Sequence, residues 1–325
     1  MNTTKLVITT LATCLFVFSA CDKKPSEQLI ADVVETKAKY AVLVNDIHSP
    51  FWSAVMEGVN DAKNELNLDL VAQGTPAADQ SEEQLNLCEA MELTKPDVFI
   101  VAAVNHTNLL PCLRQASTRG ALIIDLDGNL DFDISKEADV NLALRVASDN
   151  YEIGRMAANF LSDISGKVLV IEGVPGSIPS EKRVAGFIDH NQSLDVIASL
   201  NANWDRQKAA DIANDALVAN PDLKVIYAAN DGMALGALQS VKAQQRDDIL
   251  IVGVDGTADA VNAVKAGELA ASIAQLPYLM GKTSVETAHR KLSGMELPQI
   301  THVPIITLDK ETLTQKNNEL LQYLR

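Results

Sequence analysis

Residues 223–256 read LKVIYAANDGMALGALQSVKAQQRDDILIVGVDG. In this stretch, two short apolar runs at 225–229 and 249–254 flank a segment with the pattern of a helix. Polar residues stand at the end of each run, with Asn230 after the first and Asp255 after the second. A strand, a helix and a second strand in this order are typical of a parallel sheet covered by helices. The stretch therefore predicts an α/β fold.

The same alternation continues along most of the chain, with helical stretches such as 51–66 between the apolar runs. Runs of strand type occur at residues 40–44, 68–73, 98–103, 122–127, 144–148, 167–172, 196–200, 225–229, 249–254 and 271–275. This number is large for one sheet in a chain of this size, so the pattern predicts two doubly wound parallel sheets. The connection 128–141, which is rich in Asp and has no obvious helix, is the best boundary by pattern alone.

The composition excludes several classes of protein. The 325 residues include 27 basic and 43 acidic side chains, which gives a formal net charge of −16. Nucleic-acid binding requires basic surface, so this acidity argues against it. Because 47% of the residues are hydrophobic, the chain has enough apolar surface for a sizeable core and is not expected to be disordered.

The N-terminal segment has the layout of an export signal. A single lysine precedes an apolar or small-residue run at 6–20, and this run is shorter than the roughly 20 residues of a membrane-spanning helix. The sequence FSAC at 18–21 resembles a bacterial lipobox, in which Cys21 is lipidated. We therefore expect a lipoprotein signal peptide at 1–20 and a polar tether at 21–37. An ordinary signal peptide that leaves Cys21 as a thiol is the alternative.

Two further cysteines remain after the signal peptide and the lipidation site, Cys88 and Cys112. The chain has no cysteine or histidine spacing typical of zinc, so no metal site and no cofactor are predicted. In an oxidising compartment the pair is a candidate disulfide, because both residues fall in predicted helices that pack on the same sheet face. Two separate buried thiols are the alternative.

The ends of the predicted strands carry polar and aromatic side chains. Ligands of doubly wound proteins bind beyond the carboxyl ends of the strands. Carboxylates and amides exchange hydrogen bonds with hydroxyl groups, and flat aromatic rings cover C–H surface. Taken singly, each residue is also consistent with a turn, a core aromatic or a solvated position. However, the chain has only two tryptophans, Trp52 and Trp204, and both lie at such ends.

Seven segments carry a family resemblance: SPFW at 49–52, SDN at 148–150, IEG at 171–173, NWDR at 203–206, ANDGMALG at 229–236, VGVDG at 252–256 and IAQLP at 273–277. In this order they resemble the periplasmic sugar-binding proteins of the ribose and D-allose type, over about residues 40–307. The resemblance implies a periplasmic binding protein type I fold, in which two doubly wound parallel-sheet lobes are joined by a three-segment hinge. Lobe one is expected at 38–147 plus 276–304, and lobe two at 148–275 plus 305–325.

The resemblance also implies a function that is not enzymatic. The chain would capture a monosaccharide similar to ribose or allose between the lobes and deliver it to an ABC permease. Carried over by position, the ligand-binding residues are Asn45, Ser49, Phe51, Trp52 and Asp127 in lobe one, Arg183, Trp204, Asn230 and Asp255 in lobe two, and Gln275 at the hinge. Gly128 departs from the ribose-type pattern, which has an arginine there, so the identity of the sugar stays open.

Other functions are weaker or remain open. An enzyme lacks support because the chain has no Gly-x-Ser-x-Gly elbow, and because Leu276 replaces the first glycine that a P-loop at 281–283 needs. A sugar-responsive repressor needs an N-terminal helix-turn-helix, where this chain has an export signal. A tethered receptor that presents a sugar or furanose to a sensor kinase or chemoreceptor is the open alternative. In either case we expect a periplasmic monomer, anchored to the inner membrane through lipidated Cys21.

Overall fold

The computed structural model describes residues 37–315 and 317–324. The predicted signal peptide, the lipidation site at Cys21 and the tether up to residue 36 lie outside the described residues. Within the described part of the chain, the helices are all too short or too polar to cross a membrane.

Strands and helices alternate along the described chain. The strands are β1 Lys39–Val44, β2 Asp69–Gly74, β3 Val98–Val101, β4 Leu122–Leu126, β5 Leu142–Ala147, β6 Gly166–Glu172, β7 Leu194–Asn201, β8 Leu223–Ala228, β9 Leu250–Asp255, β10 Ala271–Ala274, β11 Ile300–His302 and β12 Ile306–Leu308. The helices are α1 Pro50–Glu65, α2 Ser81–Glu92, α3 Leu110–Thr118, α4 Phe132–Glu137, α5 Asn150–Phe160, α6 Ile178–His190, α7 Arg206–Ala219, α8 Asp231–Ala243, α9 Ala258–Ala266 and α10 Pro277–Leu292. Two 3₁₀ turns follow at Thr312–Thr314 and Glu319–Tyr323.

The strands form two six-stranded sheets. The first has the order β11-β5-β4-β3-β1-β2 and the second the order β12-β10-β9-β8-β6-β7. Neighbouring strands are parallel, with the exception that β12 pairs antiparallel to β10. The chain passes between the sheets three times, after β5, after β10 and after β11. The predicted α/β class with two doubly wound, mainly parallel sheets is confirmed.

The structure corrects the sequence pattern at two places. The connection 128–141 contains α4, whose N-cap Asp131 accepts hydrogen bonds from the backbone N–H groups of Asp133 and Ile134. Both β4 before this helix and β5 after it belong to the first sheet, so the boundary predicted there from pattern alone was wrong. The short strands β11 and β12 were not predicted, because three residues are too few to show a periodic pattern.

Each sheet is buried between layers of helices. On the first sheet, the core next to α2 and α3 contains Cys88 and Cys112, and the structure joins them in a disulfide with Cα atoms 6.1 Å apart. On the second sheet, α5 and α6 approach closely at Gly154, where a Cβ would lie 2.0 Å from the carbonyl oxygen of Arg183. This close approach brings the Arg183 backbone against α5 at the edge of the site described next.

Candidate ligand-binding site

A cavity of about 60 Å³ lies where the carboxyl ends of the strands of both sheets converge. All ten residues predicted to bind ligand line it: Asn45, Ser49, Phe51, Trp52, Asp127, Arg183, Trp204, Asn230, Asp255 and Gln275. The lining also includes Asp46, Ala78, Asn129, Ser177 and Pro179, which sequence reasoning missed. Asp46 and Asn129 lie within two residues of a predicted residue, and Ser177 and Pro179 lie shortly before Arg183 in the chain, whereas nothing in the sequence distinguishes Ala78.

Helix α1, which packs on the first sheet, supplies one aromatic wall. Phe51 and Trp52 lie in the first turn of α1, where Pro50 starts the helix, and both are buried. Their rings meet edge to face at 4.9 Å between centroids, an arrangement favoured for aromatic pairs. Each ring therefore restricts the orientation of the other.

Asp127 follows β4 and is buried at the base of the cavity. Its φ is +74°, and the φ of the next residue, Gly128, is +93°, so the backbone turns sharply in the left-handed region. Glycine adopts this region without steric cost, whereas other residues rarely do. Glycine therefore suits the backbone conformation that this turn has at residue 128.

Arg183 is the cationic centre of the cavity wall and is almost fully buried. Its Nε donates to Asn150 Oδ1 at 2.8 Å and its Nη1 to the carbonyl oxygen of Ala229 at 2.6 Å. The same guanidinium lies 5.6 Å from the centroid of the Trp204 ring, within the range of a cation–π contact. These neighbours hold the guanidinium in one orientation.

Asp255 closes β9 with a φ of +124°, an unusual backbone conformation for a residue with a side chain. Its Oδ1 accepts a 2.7 Å hydrogen bond from Gln275 Nε2, which comes from the end of the neighbouring strand β10. Behind it, buried Asp231 accepts hydrogen bonds from Thr257 N at 2.8 Å and from Ser272 Oγ at 2.8 Å. This buried network fixes the loop after β9 and so stabilises the backbone of Asp255.

Trp204 follows β7 with a φ of +63° and lies at the second sheet's side of the cavity. Its ring packs directly against Gly173, where a Cβ would lie 2.1 Å from Cζ2 of the indole. Only a residue without a side chain leaves room for the ring at this place. The glycine of the IEG segment is therefore part of the support for Trp204.

Several acceptor oxygens in the cavity wall are buried without a hydrogen-bond partner among the described residues. They are Asn45 Oδ1, Asp127 Oδ1, Gln275 Oε1 and Ser177 Oγ. Buried polar atoms are nearly always paired in native proteins, because leaving one unpaired costs about 1–3 kcal/mol. Oxygens that accept hydrogen bonds are suited to a ligand that presents several hydroxyl groups.

Burial raises the pKa of the carboxyl groups in and behind the site. The pKa of Asp127 rises to about 7, mainly by burial, with the nearby Arg183 acting to lower it and Asp255 to raise it. Burial likewise raises the pKa of Asp255 to about 6 and that of Asp231 to about 8. The carboxyl groups of Asp127 and Asp255 therefore both interact electrostatically with the guanidinium of Arg183. In the described part of the chain, no group of three His, Cys, Asp or Glu side chains is placed to hold a metal ion.

Comparisons with known proteins place this geometry in context. The family model described as "Periplasmic binding protein domain" matches residues 40–296. The chain is 32% identical to the D-allose-binding periplasmic protein of Escherichia coli (strain K12), over 80% of this chain and 87% of that protein. It is 28% identical to the ribose import binding protein RbsB of Bacillus subtilis (strain 168), over 93% of this chain and 97% of that protein.

Solved structures agree with the sequence comparisons. A periplasmic solute-binding protein of an ABC transporter from Actinobacillus succinogenes 130z, with bound D-allose, superposes with a TM-score of 0.79 at 29% identity and covers 85% of this chain and 98% of that one. A solute-binding protein from Agrobacterium vitis with bound D-fucose gives a TM-score of 0.82 at 26% identity, over 89% of this chain and 100% of that one.

Proposed function

This chain belongs to the periplasmic binding protein family, and from that premise we propose that it binds a monosaccharide in the cavity between its two sheets and delivers it to an ABC importer. It is a binding protein and not an enzyme. Its relatives include proteins named for D-allose binding and for ribose import, and these names favour a sugar as the cargo. They give no support to the receptor that presents its ligand to a sensor kinase or chemoreceptor.

The observation that carries this proposal is the set of unpartnered acceptor oxygens between aromatic walls. Asn45 and Asp127 present theirs from the first sheet, and Gln275 presents its own from the end of β10 in the second. In our proposal a sugar donates its hydroxyl hydrogens to these oxygens and to Asp255, while Arg183 donates to a sugar oxygen. The ring is held between Trp204 and the pair Phe51 and Trp52, whose faces cover its C–H surface.

The proposed lobes follow from the sheets. Lobe one, at 38–147 plus 276–304, contains the strands of the first sheet, and lobe two, at 148–275 plus 305–325, contains those of the second. A ligand that contacts both lobes binds the closed form more strongly than the open form, and so shifts the population towards closure. The importer would then recognise the closed form.

A thermal-shift screen with D-allose, D-ribose, D-fucose and D-arabinose tests the proposal. A ligand that binds only the folded protein raises its melting temperature, by an amount that grows with concentration over Kd. We expect at least one of these sugars to do so at millimolar concentration, and titration calorimetry to give a single site per chain. If none of the sugars stabilises the protein and calorimetry shows no heat of binding, the monosaccharide proposal is wrong.

We further propose that the mature protein is a periplasmic monomer anchored to the inner membrane through lipidated Cys21. The FSAC sequence at 18–21 supports this, as does the acidic residue Asp22 that follows. A Cys21→Ser variant tests the anchor: wild-type protein should fractionate with membranes and incorporate labelled palmitate, whereas the variant should do neither. Sedimentation of the soluble variant then tests the monomer. Equal fractionation of both forms would contradict the anchor.

A further inference from the structure

The side chain of Asn129 joins the first sheet to a helix of the second. Asn129 lies three residues beyond the end of β4, lines the cavity and is only 4% exposed. Its Nδ2 donates to the carbonyl oxygen of Ala103, just beyond β3, at 2.8 Å. Its Oδ1 accepts from the backbone N–H of Ile178, the first residue of α6, at 3.0 Å. Both ends of the amide are therefore used, one on each side of the cavity.

The same helix has a cap residue of its own that makes no capping bond. Ser177 is the N-cap of α6, with φ −84° and ψ 112°, the extended backbone that N-cap residues adopt. A serine at this position normally accepts a hydrogen bond from an N–H of the first turn. Here the Ser177 hydroxyl makes no such bond, and its oxygen is buried without a partner among the described residues. The N-terminus of α6 is thus capped from the opposite sheet.

These two observations together point to an exchange of caps. We propose that Asn129 is a positioning residue that caps α6 only when the lobes are closed, and that the Ser177 hydroxyl takes over as the cap when they open. Opening moves Asn129 away from Ile178 and leaves the Ile178 N–H group to water, while Ser177, the N-cap residue, moves with the helix. Pro179 has no N–H, so Ser180 N is the first-turn donor within reach of the Ser177 hydroxyl. The inference rests on the proposed function only in that a sugar is the ligand that drives closure.

The exchange predicts opposite effects for two simple variants. Asn129→Ala removes a cap from the closed form alone, so sugar affinity should fall by roughly 2- to 30-fold, the range of one helix cap. Ser177→Ala removes a cap from the open form alone and leaves every hydrogen bond of this structure in place. It should therefore increase sugar affinity, by a factor within the same range. Asn159→Ala, at an exposed position of α5 outside the cavity lining, is the matched control.

Two measurements on the full chain test the exchange: calorimetry with D-ribose and D-allose, and hydrogen–deuterium exchange of the first turn of α6 with and without sugar. We expect Ser177→Ala to speed amide exchange there in the sugar-free protein, and Asn129→Ala to speed it in the sugar-saturated protein. A loss of sugar affinity in Ser177→Ala would show instead that its hydroxyl binds the sugar, and this result would overturn the exchange of caps. Unchanged affinity in both variants would overturn it as well.

Failure of the exchange of caps and failure of the proposed function give different experimental results. If wild-type protein binds none of the four sugars of the thermal-shift screen, the monosaccharide proposal fails, but amide exchange of the sugar-free Ser177→Ala variant still decides whether that hydroxyl caps the open form. Amide hydrogen exchange at the wild-type rate in this variant would then contradict the proposed exchange of caps. If Asn129→Ala does not fold, Ser177→Ala carries the test by itself.

Discussion

Arg183 Nη1 lies 3.6 Å from Asp255 Oδ1, in a pair whose side chains are only 4% and 6% exposed. The guanidinium is also fixed by Asn150 and by the carbonyl oxygen of Ala229. A buried charge pair contributes little net stability, because both charges lose their hydration. In the proposed site its value lies in preorganisation, since a ligand would meet an oriented cation and an oriented carboxylate and would not have to order them.

Removing the guanidinium of Arg183 should lower both the free energy of unfolding and the affinity for sugar. In Arg183→Ala, Asp255 loses its buried partner, and we expect a loss of about 3 kcal/mol in the free energy of unfolding, as when other buried pairs are broken. Sugar affinity should fall at least about tenfold. Arg183→Lys keeps the positive charge but lacks the planar guanidinium group, and should lose less stability than Arg183→Ala. Urea unfolding and calorimetry measure the two effects. Wild-type affinity in Arg183→Ala would remove this residue from the site.

A methyl group at residue 173 should displace Trp204. Because a Cβ on Gly173 would lie 2.1 Å from the indole, Gly173→Ala forces the ring or the strand to move, at a cost of about 1–3 kcal/mol in stability. Sugar affinity should fall together with it, and Trp204→Ala should show a similar loss of affinity. Gly232→Ala is the control, since its Cβ would meet no atom nearer than 3.6 Å. Thermal unfolding and calorimetry of the three variants compare them. Equal affinity in Gly173→Ala and Gly232→Ala would contradict the role of the indole.

The stability of the sugar-free protein should decrease as the pH rises from 5 to 8. The folded-state pKa of Asp127, about 7, lies above that of an unfolded aspartate, so its contribution is fully present below about pH 4 and is lost as the pH rises through about 7. Between pH 5 and 8 this amounts to about 2–3 kcal/mol. The pKa values of Asp125, Asp231 and Asp255 are raised too and act in the same direction.

Asp127→Asn should therefore flatten the profile of melting temperature against pH, because the amide does not titrate. Asp195→Asn, at an exposed position of β7, should keep the wild-type slope. Thermal unfolding at several pH values, without sugar, makes the comparison. A profile for Asp127→Asn as steep as that of the wild type would show that this carboxyl is ionised in the folded protein at all of these pH values.

Reduction of the disulfide should destabilise the first sheet and leave the cavity intact. Cys88 and Cys112 are 24 residues apart, and a cross-link over a loop of this length is worth about 3 kcal/mol. Neither residue lines the cavity. We expect the Cys88→Ser/Cys112→Ser double variant, and the reduced wild type, to unfold at lower urea concentration with nearly unchanged sugar affinity. Equal urea midpoints for the oxidised and reduced protein would indicate that the thiols are not bonded in solution.

Much of this architecture follows from the sequence because buried parallel strands are continuous apolar runs. The runs at 98–103 and 225–229 correspond closely to β3 and β8, whose residues are almost all buried. Side chains at the carboxyl ends of such strands must converge, which is why Asp127, Asp255 and Gln275 line one cavity.

What the sequence did not show depends on contacts between distant segments. The pairing of β11 with β5 and of β12 with β10 involves three residues on each side, too few to produce a pattern. The bond from Asn129 to α6 joins residues 49 positions apart, and no local signal marks either partner. Helix α4 has an N-cap in Asp131. However, the helix has only 6 residues and lies in an acidic segment, so the sequence shows no helical pattern there.

The chain crosses between the two sheets three times, and this connectivity has a consequence for proteolysis. A protease that cuts one passage, after β5, after β10 or after β11, leaves two covalent links between the halves. The fragments would stay associated under native conditions and separate only in denaturant. A singly nicked protein should for that reason still bind its ligand, and co-expressed fragments split at 148–149 should reassemble into a functional binding protein.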